Sequence, residues 1–384
     1  MYALFSRPLI LVGNFLVQYH YYVIAFLLSP FLAAFVGVEY VGYAFIASSI
    51  LATLLLYAAP PIFRSFGTTN VIGTVGVLEA LILVALTQVS HPYMAVILVT
   101  AQSTLAYMLF IGMDLVIESS TATERVTGQT RTAYLTITNL AVLAATLSLS
   151  VLVVQDAYGP AFITSVVVLL LFVIHARFFF PAVSYVSSPE ADGSVIARLS
   201  TDQSVRNISA AHLVLQTFFS WMAIYIPVLL FMYQGFSWAE IGIILSIAML
   251  PYILFEYPFG YIADRYIGEQ ELLILGFIIM SASLIAIPFL PQQDFWLWTA
   301  VMFIARIGAA MVEAMTEVHF FRRVSHSDTS IITFFRALKP IGSIIGPLIA
   351  GVCLIFLDLT TTFAVLGVAT CVGIIFSRRI IDSK

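Results

Sequence analysis

The sequence predicts an all-α polytopic membrane protein: twelve transmembrane helices in two pseudo-symmetric six-helix bundles. Three observations carry this. Hydrophobic residues make up 61% of the chain and charged residues 9%, against about 25% charged in a soluble domain. Apolar runs of the roughly 20 residues needed to cross a bilayer recur along the whole chain. Finally, one acidic pair occurs twice: Asp114 and Glu118 near the end of the fourth run, Glu313 and Glu317 near the end of the tenth, both at an offset of 199 residues. A repeat of about half the chain length marks a duplicated membrane unit.

The twelve predicted spans run over residues 8–36, 41–63, 69–88, 93–118, 131–154, 160–180, 209–233, 237–261, 272–290, 296–319, 330–356 and 360–377. The first is read as a spanning helix and not a signal peptide, because no small-residue cleavage site follows it. Outside the spans the basic residues are Arg7, Arg64, Arg125, Arg198, Arg206, Arg265, Arg322, Arg323, Arg378, Arg379 and Lys384. All belong to the termini or to the even-to-odd connections. The opposite loops carry Glu39, His91, Asp156, Glu240, Asp294 and Asp358 with no Lys or Arg. The positive-inside rule then places both termini in the cytoplasm of a multi-pass protein of the plasma (inner) membrane. The polar stretch around Pro189–Ser194 separates an N-terminal bundle (1–181) and a C-terminal bundle (207–384) by a cytoplasmic linker (182–206).

Composition also excludes functions. The net charge of −4 offers no basic surface for nucleic acid. Cys353 and Cys371 both lie in apolar runs and give neither a disulfide framework nor a thiolate metal site. No His/Asp/Glu cluster has metal-ligand spacing, no cofactor motif is present, and no phosphate-binding loop or catalytic serine motif occurs. An enzyme is therefore not expected.

The polar residues inside the spans are the candidates for function. Asn14, Gln18 and Tyr22 on span 1 align with His212, Gln216 and Ser220 on span 7 at an offset of 198, each set spaced i, i+4, i+8. Such stripes either face a shared cavity or make interhelical hydrogen bonds. Arg306, Glu313 and Glu317 fall within roughly 40° of one another on one helix face. Arg306 lies about 18 Å from the outer end of its span, near mid-membrane, with Tyr107 at the matching position of span 4. A charge at that depth binds an anionic group or neutralises a nearby acid. Arg336 and Lys339 on span 11 enter from the same side as Glu313 and Glu317 and are expected to pair with them. Asp114, Glu313, Glu118 and Glu317 are the candidates for loading and releasing a proton, with Glu118 alternatively paired to Arg131 or Arg125. Glu79, mid-span on helix 3, reads either as a packing residue or as a second proton site. His20 faces away from the span 1 stripe and reads as a packing histidine; His319 and His326 read as solvated.

Gly260-Tyr261-Ile262-Ala263-Asp264-Arg265-Tyr266-Ile267-Gly268 follows span 8 on the cytoplasmic side. It resembles the loop signature of the major facilitator superfamily. The resemblance implies a transporter whose spans 1, 4, 7 and 10 line a central cavity, and whose loop acid, here Asp264, braces the start of span 5, with Arg131 as partner, when the inner gate is shut. There are departures. One extra residue separates Arg265 from Gly268, Glu269, Gln270 and Glu271 replace basic residues, and the copy after span 2 is eroded to Phe63-Arg64-Ser65-Phe66-Gly67. Gly342-Ser343-Ile344-Ile345-Gly346-Pro347 in span 11 resembles the Gly-Pro pattern of the family's antiporters, or serves small-residue packing.

The expected function is secondary active transport of a small polar or anionic solute by alternating access, powered by protons and carried out by a monomer in the lipid bilayer. A proton-driven exporter of drug-like compounds or metabolites, and a non-transporting membrane sensor of the same fold, are the alternatives.

Overall fold

The computed structural model describes residues 2–119, 124–181, 195–324 and 328–380. Among them the regular structure is helical: α1 (Tyr2–Val36), α2 (Val38–Phe66), α3 (Thr68–Leu86), α4 (Pro92–Ser119), α5 (Glu124–Leu152), α6 (Gly159–Phe179), α7 (Val195–Thr201), α8 (Gln203–Val228), α9 (Trp238–Leu254), α10 (Glu256–Arg265), α11 (Glu269–Ala286), α12 (Phe295–Arg323), α13 (Thr329–Leu354), α14 (Leu359–Thr370) and α15 (Val372–Ser377). Among the described residues, eleven spans are long and apolar enough to cross a membrane, the last formed by α14 and α15 together.

The eighth expected span, 237–261, departs from the reading as one continuous helix. It is α9, 17 residues long, followed by a break at Phe255 and then α10. The cause is local. Pro258 has no N–H to give the carbonyl of Leu254, and its ring crowds that carbonyl. The flanking bonds survive, Phe255 N–H to the Pro251 carbonyl and Phe259 N–H to the Phe255 carbonyl, each 2.9 Å.

By contacts the chain divides into two compact units, Met1–Ser187 with Phe236–Ser246, and Ser188–Gly235 with Ile247–Lys384. In the first, α1 packs on α5, α6 and α4, α3 packs on α4 and α6, and α2 packs on α4. In the second, α8 packs on α13, α15 and α12, α11 packs on α12 and α14, and α10 packs on α12. Counted as spans, these are the same neighbours shifted by six, so the duplication seen in the acidic pairs extends to the packing.

The turns repeat as well. Among the described residues the four glycines with positive φ sit at matching places: Gly37 (88°) and Gly235 (73°) end the first span of each half, and Gly67 (77°) and Gly268 (100°) precede the third. Only glycine takes that backbone without a Cβ penalty. Close helix approaches use small residues too. A Cβ on Gly308 of α12 would stand 2.6 Å from the carbonyl oxygen of Gly276 on α11. Gly342 and Gly346 of α13 similarly back onto Gln216, Thr217 and Ser220 of α8, whereas Gly351 meets nothing within 4 Å.

Candidate functional site

In the second unit the site grows from α12, whose inner face the sequence marks with Arg306 and Glu313. Arg306 is 8% exposed. Its guanidinium donates to the Tyr252 hydroxyl at 3.4 Å and stands 5.7 and 5.8 Å from the ring centres of Phe218 and Phe219. Aromatic faces attract a cation, and more strongly away from water. Seven residues on, Glu313 is half-buried and acts electrostatically with Glu256, Glu317, Lys339 and Arg306. Three acids and two cations thus converge where α8, α9, α10, α12 and α13 meet. Tyr252 and Glu256, four residues apart, stand on either side of the break at Phe255.

The α8 stripe connects to the same place. Gln216 Nε2 donates to His212 Nε2 at 3.1 Å, so His212 carries its proton on Nδ1 and donates it to the Thr316 hydroxyl at 3.1 Å. Thr316 in turn donates to the backbone carbonyl of Glu313 at 3.0 Å. His212 also stacks on Phe335 of α13, centroids 4.2 Å apart, and Ser220 donates to the Gly342 carbonyl at 3.2 Å. Lys339 and Arg336 are both exposed on α13.

The first unit shows the corresponding stripe tied to its fifth span. Asn14 Nδ2 donates to the Tyr134 carbonyl and the Thr138 hydroxyl, both at 3.1 Å. Gln18 Nε2 donates to Asn14 Oδ1 at 3.3 Å. Tyr22, half-buried, meets Tyr21 edge-on at 5.0 Å. Tyr107 is half-buried and within electrostatic reach of Tyr21, while Asp114 is exposed. The matched acids Asp114 and Glu313 therefore differ in surroundings. Arg265 is exposed and donates to the Tyr261 hydroxyl on its own helix at 2.8 Å. The side chains of Glu118, Arg131 and Asp264, and residue His326, lie outside the described residues.

Two polar clusters escaped sequence reasoning. His319, expected to be solvated, is fully buried: its Nδ1 donates to Glu269 Oε2 at 2.5 Å, and Glu269 also accepts from Arg322. The signal was the acidic residue where a basic one was expected, at the start of α11. His20, read as a packing histidine, is buried against Glu79; spacing on one helix cannot reveal a partner on another.

The profile of the Major Facilitator Superfamily matches residues 208–382. The crystal structure of a mutant of the nucleoside transporter NupG superposes on 98% of this chain and 100% of its own, with a TM-score of 0.78 at 14% identity. A second NupG structure covers 97% of this chain and 98% of its own, TM-score 0.76, 14% identity. A bacterial homologue of the human lysosomal transporter Spinster, inward-facing and unoccupied, covers 98% and 93% with a TM-score of 0.69 at 13% identity. At these identities the likeness is one of fold. No curated protein matches in sequence.

Proposed function

We propose that the chain is a member of the major facilitator superfamily, whose profile matches its second half, and that it performs secondary active transport: a small polar or anionic solute carried across the membrane by alternating access and driven by a proton gradient. One observation carries this reading, the buried Arg306 beside Glu313 inside an apolar bundle. Charges there are unfavourable unless they pair or bind something. Arg306 offers a planar cation to an anionic or hydrogen-bonding group, framed by Phe218, Phe219 and Tyr252. Gln18, Gln216, Tyr22, Tyr107, Asn14, His212 and Ser220 supply neutral polar contacts on spans 1, 4 and 7. Glu313, with Asp114 as its duplicate, carries the proton; Glu317 and Glu118 lie nearer the basic end and assist. Asp264, Arg265 and Arg131 form the gate at that end, with Arg336 and Lys339 opposing the acids of α12. Both termini face the cytoplasm.

The test is reconstitution into proteoliposomes with an imposed pH gradient and a panel of labelled polar and anionic solutes. Nucleosides enter the panel first, because NupG is a nucleoside transporter of the same fold. Accumulation that collapses when a protonophore is added supports the reading. Uptake that ignores the pH gradient for every transported solute rejects proton coupling.

A further inference from the structure

Helix ends of the second unit close around a cavity that the transport reading does not use. Its volume is about 340 Å³. Arg198 and Thr201 of α7, Asp202 and Ser204 around the start of α8, Arg323 at the end of α12 and Arg379 just after α15 line it. All belong to the second unit.

The level of the cavity follows from the spans. Gln203 opens the span Gln203–Tyr233, Arg323 closes the span Phe295–Arg323, and Ser377 closes the span Leu359–Ser377. Apolar spans that end together mark the plane where hydrocarbon gives way to lipid headgroups. The cavity therefore sits at headgroup level, on the side of the bundle that carries the basic residues.

Its walls are fixed by backbone contacts. The Asp202 N–H donates to the Arg198 carbonyl at 2.9 Å, and Asp202 Oδ1 accepts from the Val205 N–H at 3.1 Å; together they set the turn from α7 into α8. Asn207 of α8 donates to the Arg379 carbonyl at 3.1 Å, and Gln270 of α11 donates to the Ser377 carbonyl at 3.2 Å. Three arginines from distant stretches of sequence are thus brought to one place.

Among the described lining residues those three arginines meet one acid. Asp202 is committed to capping α8 and stands 3.9 Å from Arg198, with the two side chains 23% and 44% exposed. Such a pair neutralises little. Glu269, at the start of α11, is committed to His319 and Arg322. The cavity is left with net positive charge, to which the positive end of the α8 dipole adds. Arginine presents a planar fork of donors that matches the oxygens of a phosphate two at a time.

We propose that this cavity is a phosphate-binding site, taking the head of an anionic phospholipid or a soluble phosphate compound, and that its occupant ties the start of α8 to the ends of α12 and α15. The site is separate from the Arg306–Glu313 centre and does not depend on proton-coupled transport. Native mass spectrometry of the full-length protein in detergent tests it, with phosphatidylglycerol, phosphatidylcholine and inorganic pyrophosphate as probes. Phosphatidylglycerol is expected to bind more tightly than zwitterionic phosphatidylcholine. Arg379→Gln should weaken that binding roughly fivefold, the share of one arginine at a membrane surface. Arg378→Gln removes the same charge one residue away, outside the cavity lining, and should leave binding close to wild type. Both side chains are exposed, and the Arg379 carbonyl held by Asn207 survives either change. Thermal unfolding checks that both variants fold, and Arg198→Gln repeats the test from α7. Pyrophosphate binding that depends on Arg198 and Arg379, with the two lipids bound alike, would support the site and identify a soluble occupant. Equal losses from Arg378→Gln and Arg379→Gln would mean that charge acts from the surface at large and would overturn the site. Binding of neither phosphatidylglycerol nor pyrophosphate would overturn it as well. Because nothing is transported in this measurement, the site and the coupling reading fail separately.

Discussion

A guanidinium that is 8% exposed halfway along an apolar helix must be held by its neighbours, and Arg306 is held by two rings and a phenol. Its charge and depth were legible in the sequence from the count to Asp294. Its partners were not, because Tyr252, Phe218 and Phe219 lie on other spans whose rotation the sequence leaves open. The partners make the site specific to arginine: a lysine keeps the charge but lacks the flat face that lies against aromatic rings. Arg306→Lys is expected to fold normally and raise the apparent KM for substrate by roughly tenfold, about the loss of one such contact; uptake kinetics would measure it. At the opposite extreme of exposure, Asp358 caps α14. It accepts from the Thr361 N–H at 2.9 Å and the Thr361 hydroxyl at 2.6 Å. The hydroxyl bond, assisted by the backbone N–H groups and opposed by slight burial, holds its carboxyl below the usual 3.8. A carboxyl lowered in the folded state stabilises above its unfolded value and loses that contribution as pH falls through the folded one. Asp358→Ala should cost about 0.5–2 kcal/mol at neutral pH, and the difference from wild type should shrink in strong acid. Thermal unfolding in detergent at several pH values would show both.

Helices were the most legible level, since hydropathy alone located every span. What hydropathy missed was the break in the eighth, although Pro251 and Pro258 were in plain sight: proline is common enough in membrane helices that its presence does not say where a helix stops. Contacts between helices were equally hidden. Gly276 and Gly308 are 32 residues apart, yet each sits where a Cβ would collide with the other's carbonyl, at 2.9 and 2.6 Å. Backbone cannot move aside as a side chain does, so Gly308→Ala should separate α11 from α12 and destabilise by about 1–3 kcal/mol, visible as a lower unfolding temperature. The same two helices share the Glu269 cluster. His319 and Glu269 are buried, whereas the Arg322 side chain is 37% exposed. Removing Glu269 strands His319 without its acceptor, while removing Arg322 gives up a pair already screened by solvent. Glu269→Ala should therefore lower thermal stability more than Arg322→Ala, and equal effects would contradict this account.

At the scale of the molecule, the two halves share a packing scheme but not an electrostatic one. Within each unit the spans keep the same neighbours, shifted by six, a likeness that the repeat of 199 residues shows only as a spacing. Equal spacing fixes the acids' position along a helix and not what the neighbouring helices contribute. Asp114 is exposed. Glu313 instead faces Glu256, Glu317, Lys339 and Arg306. A proton on Glu313 changes its attraction for Arg306 and Lys339 at once. A bound proton shifts a conformational equilibrium only as far as it interacts differently with the two states, and on Glu313 it acts on two cations together. Glu313→Gln is expected to abolish uphill accumulation driven by a pH gradient while leaving downhill exchange of substrate intact. Asp114→Asn should weaken accumulation less, and Glu317→Gln less again, being nearer the basic end. The comparison belongs in proteoliposomes of known orientation, which labelling of a cysteine placed at Glu240 with an impermeant reagent would establish, since that loop is expected outside. If accumulation survives Glu313→Gln and Asp114→Asn together, the carboxylates serve packing, and the energy for transport comes from the solute's own gradient.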